Sequence, residues 1–150
     1  MILPDFKGFP RAGRILGVDW GLRRIGVAVS DASRDFVFVR DVLLVPRGAG
    51  NHADLVAGVA NTENVVGIVV GLPVRNDGAE TETTDMVRNF VADLAGKTDL
   101  PICMIEENLT SYTAQEEMGR VRVRELKERL DAESARVILE NAIAIINRTV

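Results

Sequence analysis

Cysteine, histidine and aromatic residues are scarce in this sequence. It holds one cysteine, Cys103, and one histidine, His52, in 150 residues. A lone cysteine excludes an internal disulfide, and one of each cannot make a Cys/His zinc site. Cys103 lies in the apolar run Ile102-Cys103-Met104-Ile105, the setting of a buried core thiol. Aromatics are only 5% of the chain, so the core must be aliphatic. No apolar run is long enough to cross a bilayer. The opening Met1-Ile2-Leu3-Pro4-Asp5-Phe6-Lys7 has no secretory h-region, so cytoplasm is the expected location. There is no G-x-x-x-x-G-K-[ST] loop and hence no P-loop. Ser30 and Ser111 have no histidine near in sequence to serve as base, which leaves a serine hydrolase triad without support.

What is present fits one globular domain. A hydrophobic fraction of 47% and a charged fraction of 27% are ordinary for such a chain. Residues 1–13 carry Pro4, Gly8, Pro10 and Gly13 without periodicity and predict a flexible N-terminal arm, leaving 14–150 as a single domain. Arg14–Trp20 reads as a buried strand, Gly21 interrupts it, and Ile25–Ser30 resumes as the second arm of a hairpin. Phe36–Val39 and Val42–Val45 continue the strand signal up to Pro46. Residues 51–61 then switch to helical spacing at Leu55, Val56, Val59 and Ala60. Val65–Val70 is a fully apolar strand, which Gly71-Leu72-Pro73 is expected to end before the turn at Asn76-Asp77-Gly78. A helix over 80–95 buries Met86, Val87, Phe90, Val91 and Leu94, and Pro101–Ile105 is a further strand. Thr113 and Glu116 form a candidate capping box for a helix starting near 111–113. The last helix is expected from Asp131 to Asn147, with Ala135, Ile138, Leu139, Ala142, Ile145 and Ile146 as its buried stripe. The order β-β-β-α-β-α-β-α-α predicts an α/β fold: a mixed five-stranded sheet, a meander followed by alternating elements, flanked by helices.

Three acidic positions stand out. Asp19 ends a buried strand in Gly17-Val18-Asp19-Trp20-Gly21, where a carboxylate is costly unless compensated. An aspartate bonding to turn amides would look the same in sequence. Glu106 and Glu107 follow the strand 102–105, and alternation puts only one of them on the face of Asp19. Glu107 is favoured and Glu106 is the alternate; a solvated loop pair is the competing explanation. Asp131 opens the expected last helix, where an N-cap and a first-turn metal ligand cannot be told apart. If the three converge, their repulsion calls for cations. Hard oxygen ligands suit Mg²⁺ or Mn²⁺, ions that activate water and stabilise a leaving oxygen in phosphoryl displacement.

The net charge of -4 does not announce a nucleic-acid binder, but the charge is uneven. From Lys7 to Arg24 there are five cations against Asp19 alone, and from Arg120 to Arg129 five against Glu125 and Glu128. Arg23, Arg24, Arg120, Arg122 and Arg124 are therefore candidate phosphate contacts, with ordinary solvated surface charge as the bland explanation.

Together these segments resemble a known family. Gly17-Val18-Asp19-Trp20-Gly21 followed by Arg24-Ile25-Gly26-Val27-Ala28-Val29-Ser30-Asp31 is similar to the opening motif of the YqgF/RuvX family, described as pre-16S rRNA nucleases or Holliday junction resolvase-like proteins. Val69-Val70-Gly71-Leu72-Pro73 with Asp77-Gly78 is similar to its second signature. Glu106-Glu107-Asn108-Leu109-Thr110-Ser111 occupies the place of its Asp-Glu-Arg-Leu-(Ser/Thr)-Thr motif, and residues 131–140 look like its closing helix. The resemblance implies an RNase H-like fold and a Mg²⁺- or Mn²⁺-dependent endonuclease. Asp19, Glu107 and Asp131 would be catalytic, and the same three with Glu106 would hold metal. The implied partner is structured RNA or branched DNA, with pre-16S rRNA 5'-end processing or junction resolution as the role; a homodimer is left open. Asn108 stands where the family has arginine, which removes a cation beside the Glu106/Glu107 pair. That departure leaves an alternative: a catalytically weak nucleic-acid-binding or assembly protein with the same fold. Gly17–Gly21 also resembles the first phosphate loop of actin/hexokinase-like kinases, but the chain is too short for two lobes and has no second phosphate motif.

Overall fold

The computed structural model describes residues 1–108 and 123–148, with side chains described for 1–107 and 133–148. Its strands are β1 (Ile2–Leu3), β2 (Ile15–Asp19), β3 (Arg24–Ser30), β4 (Val37–Val39), β5 (Leu43–Leu44), β6 (Gly67–Val74) and β7 (Ile102–Asn108). Its helices are α1 (His52–Thr62), α2 (Glu82–Ala95) and α3 (Val123–Arg148). The sheet runs β1-β7-β6-β2-β3-β4, with β5 paired to β3 off this path. β2, β6, β7 and β1 are parallel neighbours, whereas β3 is antiparallel to β2, β4 and β5. This is the mixed α/β sheet that the pattern of apolar runs implies, with seven strands rather than five.

The two extra strands have simple causes. Residues 1–13, expected as a loose arm, are tied down: Ile2 and Leu3 pair with Ile102 and Cys103, and Phe6 and Phe9 are buried. Two aromatic rings in one short segment bury enough apolar area to offset the cost of ordering it. The stretch 36–45 is divided because the register against β3 shifts by one residue between Val39 and Leu43.

Two cores sandwich the sheet. On one face, α1 and α2 cover Leu16, Val18, Val27, Val29, Ile68, Val70 and Ile102. On the other, Ala135, Ile138, Leu139, Ala142, Ile143 and Ile146 of α3 cover Ile15, Ala28, Val69 and Cys103, together with Phe6 and Phe9. Alternate residues of each strand serve alternate cores, as the pleat requires. α2 begins at a capping box in which the Thr81 and Thr84 side chains each accept from the other's backbone N–H.

β6 does not stop at Gly71-Leu72-Pro73. It continues to Val74, where it pairs with Asn108. β2 has ended by then, so on that side Pro73 costs no ladder partner. α3 starts at Val123, eight residues before the expected start at Asp131. The capping box at Thr113 and Glu116 lies outside the described residues.

Candidate active site

Because β2, β6 and β7 are parallel, their C-terminal ends meet at one edge of the sheet. Asp19 closes β2 at that edge. The ladder runs Ile15↔Gly67 to Val18↔Val70, so one step on Asp19 comes level with Gly71. Gly71 is in turn level with Ile105, and Glu107 with Pro73.

Alternation fixes which side chains share a face. A Cβ on Gly17 would lie 2.8 Å from Leu139 Cβ and 3.0 Å from the Ala135 carbonyl oxygen, which places residue 17 under α3. Asp19, two residues on, faces the same way. A Cβ on Gly71 would lie 2.5 Å from Ile138 Cδ1 and 3.5 Å from Glu107 Oε2. Glu107 therefore reaches back over Gly71 on the α3 face, toward the strand that carries Asp19. The missing side chain at Gly71 lets Ile138 of α3 and the Glu107 carboxylate both approach the strand between the two acidic positions. Glu106 is exposed and points to the opposite face, so the structure does not bring it to this group.

Glu107 is only partly exposed, and burial pushes its carboxyl up to about 7. No hydrogen bond or ion pair offsets that burial among the described residues. Asp19 is half-buried and takes part in at least one polar contact. Arg24 starts β3 on the same face as Gly26, which pairs with Asp19. Its Nη1 is buried without a hydrogen-bond partner among the described residues. Arg23 is exposed at the hairpin tip.

Asp131 lies inside α3, one turn before Ala135, so it is not the cap of that helix. Its side chain and those of Asn108 and Arg124 lie outside the described residues, as do Arg120 and Arg122 altogether. Among the described residues, no group of three or more His, Cys, Asp or Glu side chains is placed to hold a metal ion.

Two contributors gave no sequence signal. His52 is a lone histidine at a helix start, a position that reads as surface. Here its Nε2 lies 2.8 Å from the Leu22 carbonyl oxygen and its ring stacks on Trp20 at 5.3 Å, so α1 buttresses the hairpin that presents Arg23 and Arg24. Gly71 reads as a strand terminator, yet it lies within β6 and takes the Ile138 side chain of α3 close against its backbone, between Asp19 and Glu107.

The chain is similar in sequence and fold to known proteins. In Maridesulfovibrio salexigens a curated relative named "Putative pre-16S rRNA nuclease" is 37% identical over 133 residues, spanning 87% of this chain and 98% of its own. One of the same name in Sphingopyxis alaskensis is 34% identical over 148 residues, spanning 97% and 96%. The solved structure of T. thermophilus RuvC in complex with Holliday junction substrate superimposes with a TM-score of 0.57 at 13% identity, covering 91% of this chain and 97% of that one, which shows the shared RNase H-like fold. Residues 13–144 match the family described as RuvX, Holliday junction resolvase. That span runs from the strand that ends in Asp19 into the helix that contains Asp131, and the chain belongs to the RuvX family, whose curated members are named as nucleases.

Proposed function

We propose that this protein is a divalent-metal-dependent endonuclease that hydrolyses phosphodiester bonds at the rim formed by Asp19, Glu107 and Asp131. One observation carries the reading: Asp19 and Glu107 share a sheet face, with the bare Gly71 between them, and Glu107 is desolvated with no cation beside it among the described residues. A carboxyl held in that state is poised for a hard cation, so the residues present fit Mg²⁺ or Mn²⁺. When bound, the cation supplies activation of the attacking water and stabilisation of the leaving oxygen.

The chain's own residues do the rest. Asp19, at the end of a strand in the middle of the sheet, would set the position of the group. Glu107 approaches from two strands away and accepts the charge that its burial otherwise penalises. Asp131 would join from α3, the helix that packs on Gly17 and Gly71. Arg24 and Arg23 meet the phosphate backbone beside the reacting bond, and Arg120, Arg122 and Arg124 extend that contact.

The substrate is a structured RNA of the pre-16S rRNA class or a branched DNA, and the site of action is the cytoplasm. No helix among the described residues is long and apolar enough to cross a membrane. Asn108, in place of the family's arginine, favours the second reading, a catalytically weak nucleic-acid-binding or assembly protein.

The test is cleavage of ribosomal precursor RNA, single-stranded RNA and a four-way DNA junction with Mg²⁺, Mn²⁺ or EDTA. Metal-dependent cutting of the RNA precursor or the junction is expected, and Asp19→Asn should lose it while melting like the natural protein. Undiminished cutting by Asp19→Asn refutes the site. Binding without cutting in either metal favours the second reading.

A further inference from the structure

The strand at the far edge of the sheet, β4, is unusually apolar for an open edge. Phe36 is 65% exposed, Phe38 45% and Val39 40%. Edge strands are normally guarded by lysine, proline or short length. Here only the brevity of β4 remains, since residues 36–39 are Phe-Val-Phe-Val.

The backbone hydrogen bonds show which groups are free. Arg40 N–H donates to the Val27 carbonyl and Asp31 N–H donates to the Phe36 carbonyl. Residues 36, 38 and 40 therefore turn their backbone toward β3, and Val37 and Val39 turn theirs outward. No strand among the described residues lies on that side. Phe38 pairs with Val29, so its ring stands on the sheet face covered by α1 and α2. The Arg40 guanidinium lies 5.8 Å from the centre of that ring and is held by Glu63, with 2.8 Å between Nε and Oε1.

We propose that β4 is a self-pairing edge on which a second copy of this chain docks antiparallel, about a two-fold axis through Phe38. Two identical strands related by a two-fold normal to the sheet must place one residue opposite itself. With Phe38 at that point, the outward N–H and C=O groups of Val37 bond to those of Val39 in the other copy, and the reverse. The two Phe38 rings meet, and Arg40 of each copy comes opposite Phe36 of the other as a cation–π pair. Centring on Val37 instead would set Arg40 opposite the turn at Arg34, whose guanidinium is buried against Gly13, and leave Arg40 without an aromatic partner across the seam. The register shift between Val39 and Leu43 bends the chain after Arg40, which confines the pairing to about five residues.

The area sets the strength. The exposed parts of the two rings amount to about 220 Å² per copy, far below the ~800 Å² per partner of a stable dimer. The association is therefore weak and shifts with dilution between about 1 mM and 1 µM.

Sedimentation velocity of the full chain across that range is expected to show a concentration-dependent monomer–dimer equilibrium. Phe36→Lys with Phe38→Lys should hold the protein monomeric throughout. Register is tested by oxidative cross-linking, because residues directly opposed in a non-hydrogen-bonded pair sit within disulfide reach. Phe38→Cys should give at least tenfold more disulfide dimer than Val37→Cys, with Cys103 too buried to compete. A monomer at every concentration, or more cross-linking from Val37→Cys than from Phe38→Cys, would overturn the proposal.

Discussion

Replacing Glu107 by glutamine keeps the shape of the side chain and removes its charge. Burial raises this carboxyl from the ordinary 4.5 to about 7. As pH rises from about 4.5 to about 7, the unfolded chain has already lost the proton while the folded chain still holds it. The folded state then binds more protons, so stability falls with rising pH across this window and stays low above it. A shift of this size corresponds to about 3 kcal/mol, nearer 2 kcal/mol once water reaching the open rim is allowed for. Glu107→Gln should therefore be more stable than the natural protein by about 2 kcal/mol at pH 8 and indistinguishable from it at pH 4. Urea denaturation at a series of pH values, without divalent ions, reads the difference directly. Adding about 10 mM Mg²⁺ should stabilise the natural protein and narrow the gap, since an ion that binds only the folded state raises its stability. A difference that is zero at pH 8, or the same size at pH 4, refutes the claim that burial raises the Glu107 carboxyl. In the cleavage assay the variant should be inactive although it is the more stable protein.

Three further outcomes rest on separate parts of the fold. Gly17→Ala should cost about 2–3 kcal/mol in urea denaturation, because the added methyl meets the Leu139 Cβ and the Ala135 carbonyl of α3, neither of which can swing away. Cys103 is 1% exposed and its thiol is pushed up to about 11 by burial and then by Asp5, so alkylating reagents should leave it untouched until the protein is unfolded. Glu63 is held below the usual carboxylate range by Arg40 and then Arg14, so Glu63→Gln should cost about 1 kcal/mol at pH 7; the loss fades as pH falls through the lowered value, which a pH series of melting temperatures will show.

The parts of the fold that were legible in the sequence are those where period and burial coincide. The Leu16/Val18 and Val27/Val29 sets and Val87, Phe90, Val91 and Leu94 of α2 each point one way because one covered face selects them, whereas Met86, expected in the α2 stripe, is exposed; the run 65–70 is apolar throughout because both its faces are covered. Glu107 over Glu106 followed from the same alternation. Legibility failed where long-range contact overrides local signal. Pro4, Gly8 and Pro10 read as a loose arm, yet Phe6 and Phe9 find a place beside α3 that no local rule foresees. Gly71-Leu72-Pro73 reads as a strand stop, but β7 continues alongside and carries β6 to Val74. Asp131 reads as a helix start only because the charged stretch before it lacks an apolar stripe, and α3 is nonetheless helical from Val123. Of the candidate site, residue types and face could be inferred. The desolvation of Glu107 could not, since it depends on α3 closing over Gly71.

A chain with net charge -4 is a poor suitor for a polyanion if charge is counted over the whole molecule. Phosphates do not count that way. At physiological salt the Debye length is about 8 Å, so a backbone phosphate at the rim responds to the groups around it and hardly at all to the far side of the sheet. Part of the negative charge sits far from the α3 face: Asp54 and Glu63 belong to α1 or its cap, and Glu82, Asp85 and Asp93 to α2, the helices on the opposite face. At the rim the balance is closer. Arg24 shares the face of Asp19, Arg23 is beside it, and Glu107, its carboxyl pushed up to about 7 by burial, is a weaker negative centre than a solvated carboxylate. On the proposed reading, the same burial that suits Glu107 to a cation also lowers the negative charge that an incoming phosphate meets before the cation binds. A fully solvated carboxylate at that position would repel the substrate at all times and gain less from the metal. A net acidic chain and a nucleic-acid substrate are compatible here because one carboxyl is kept out of water.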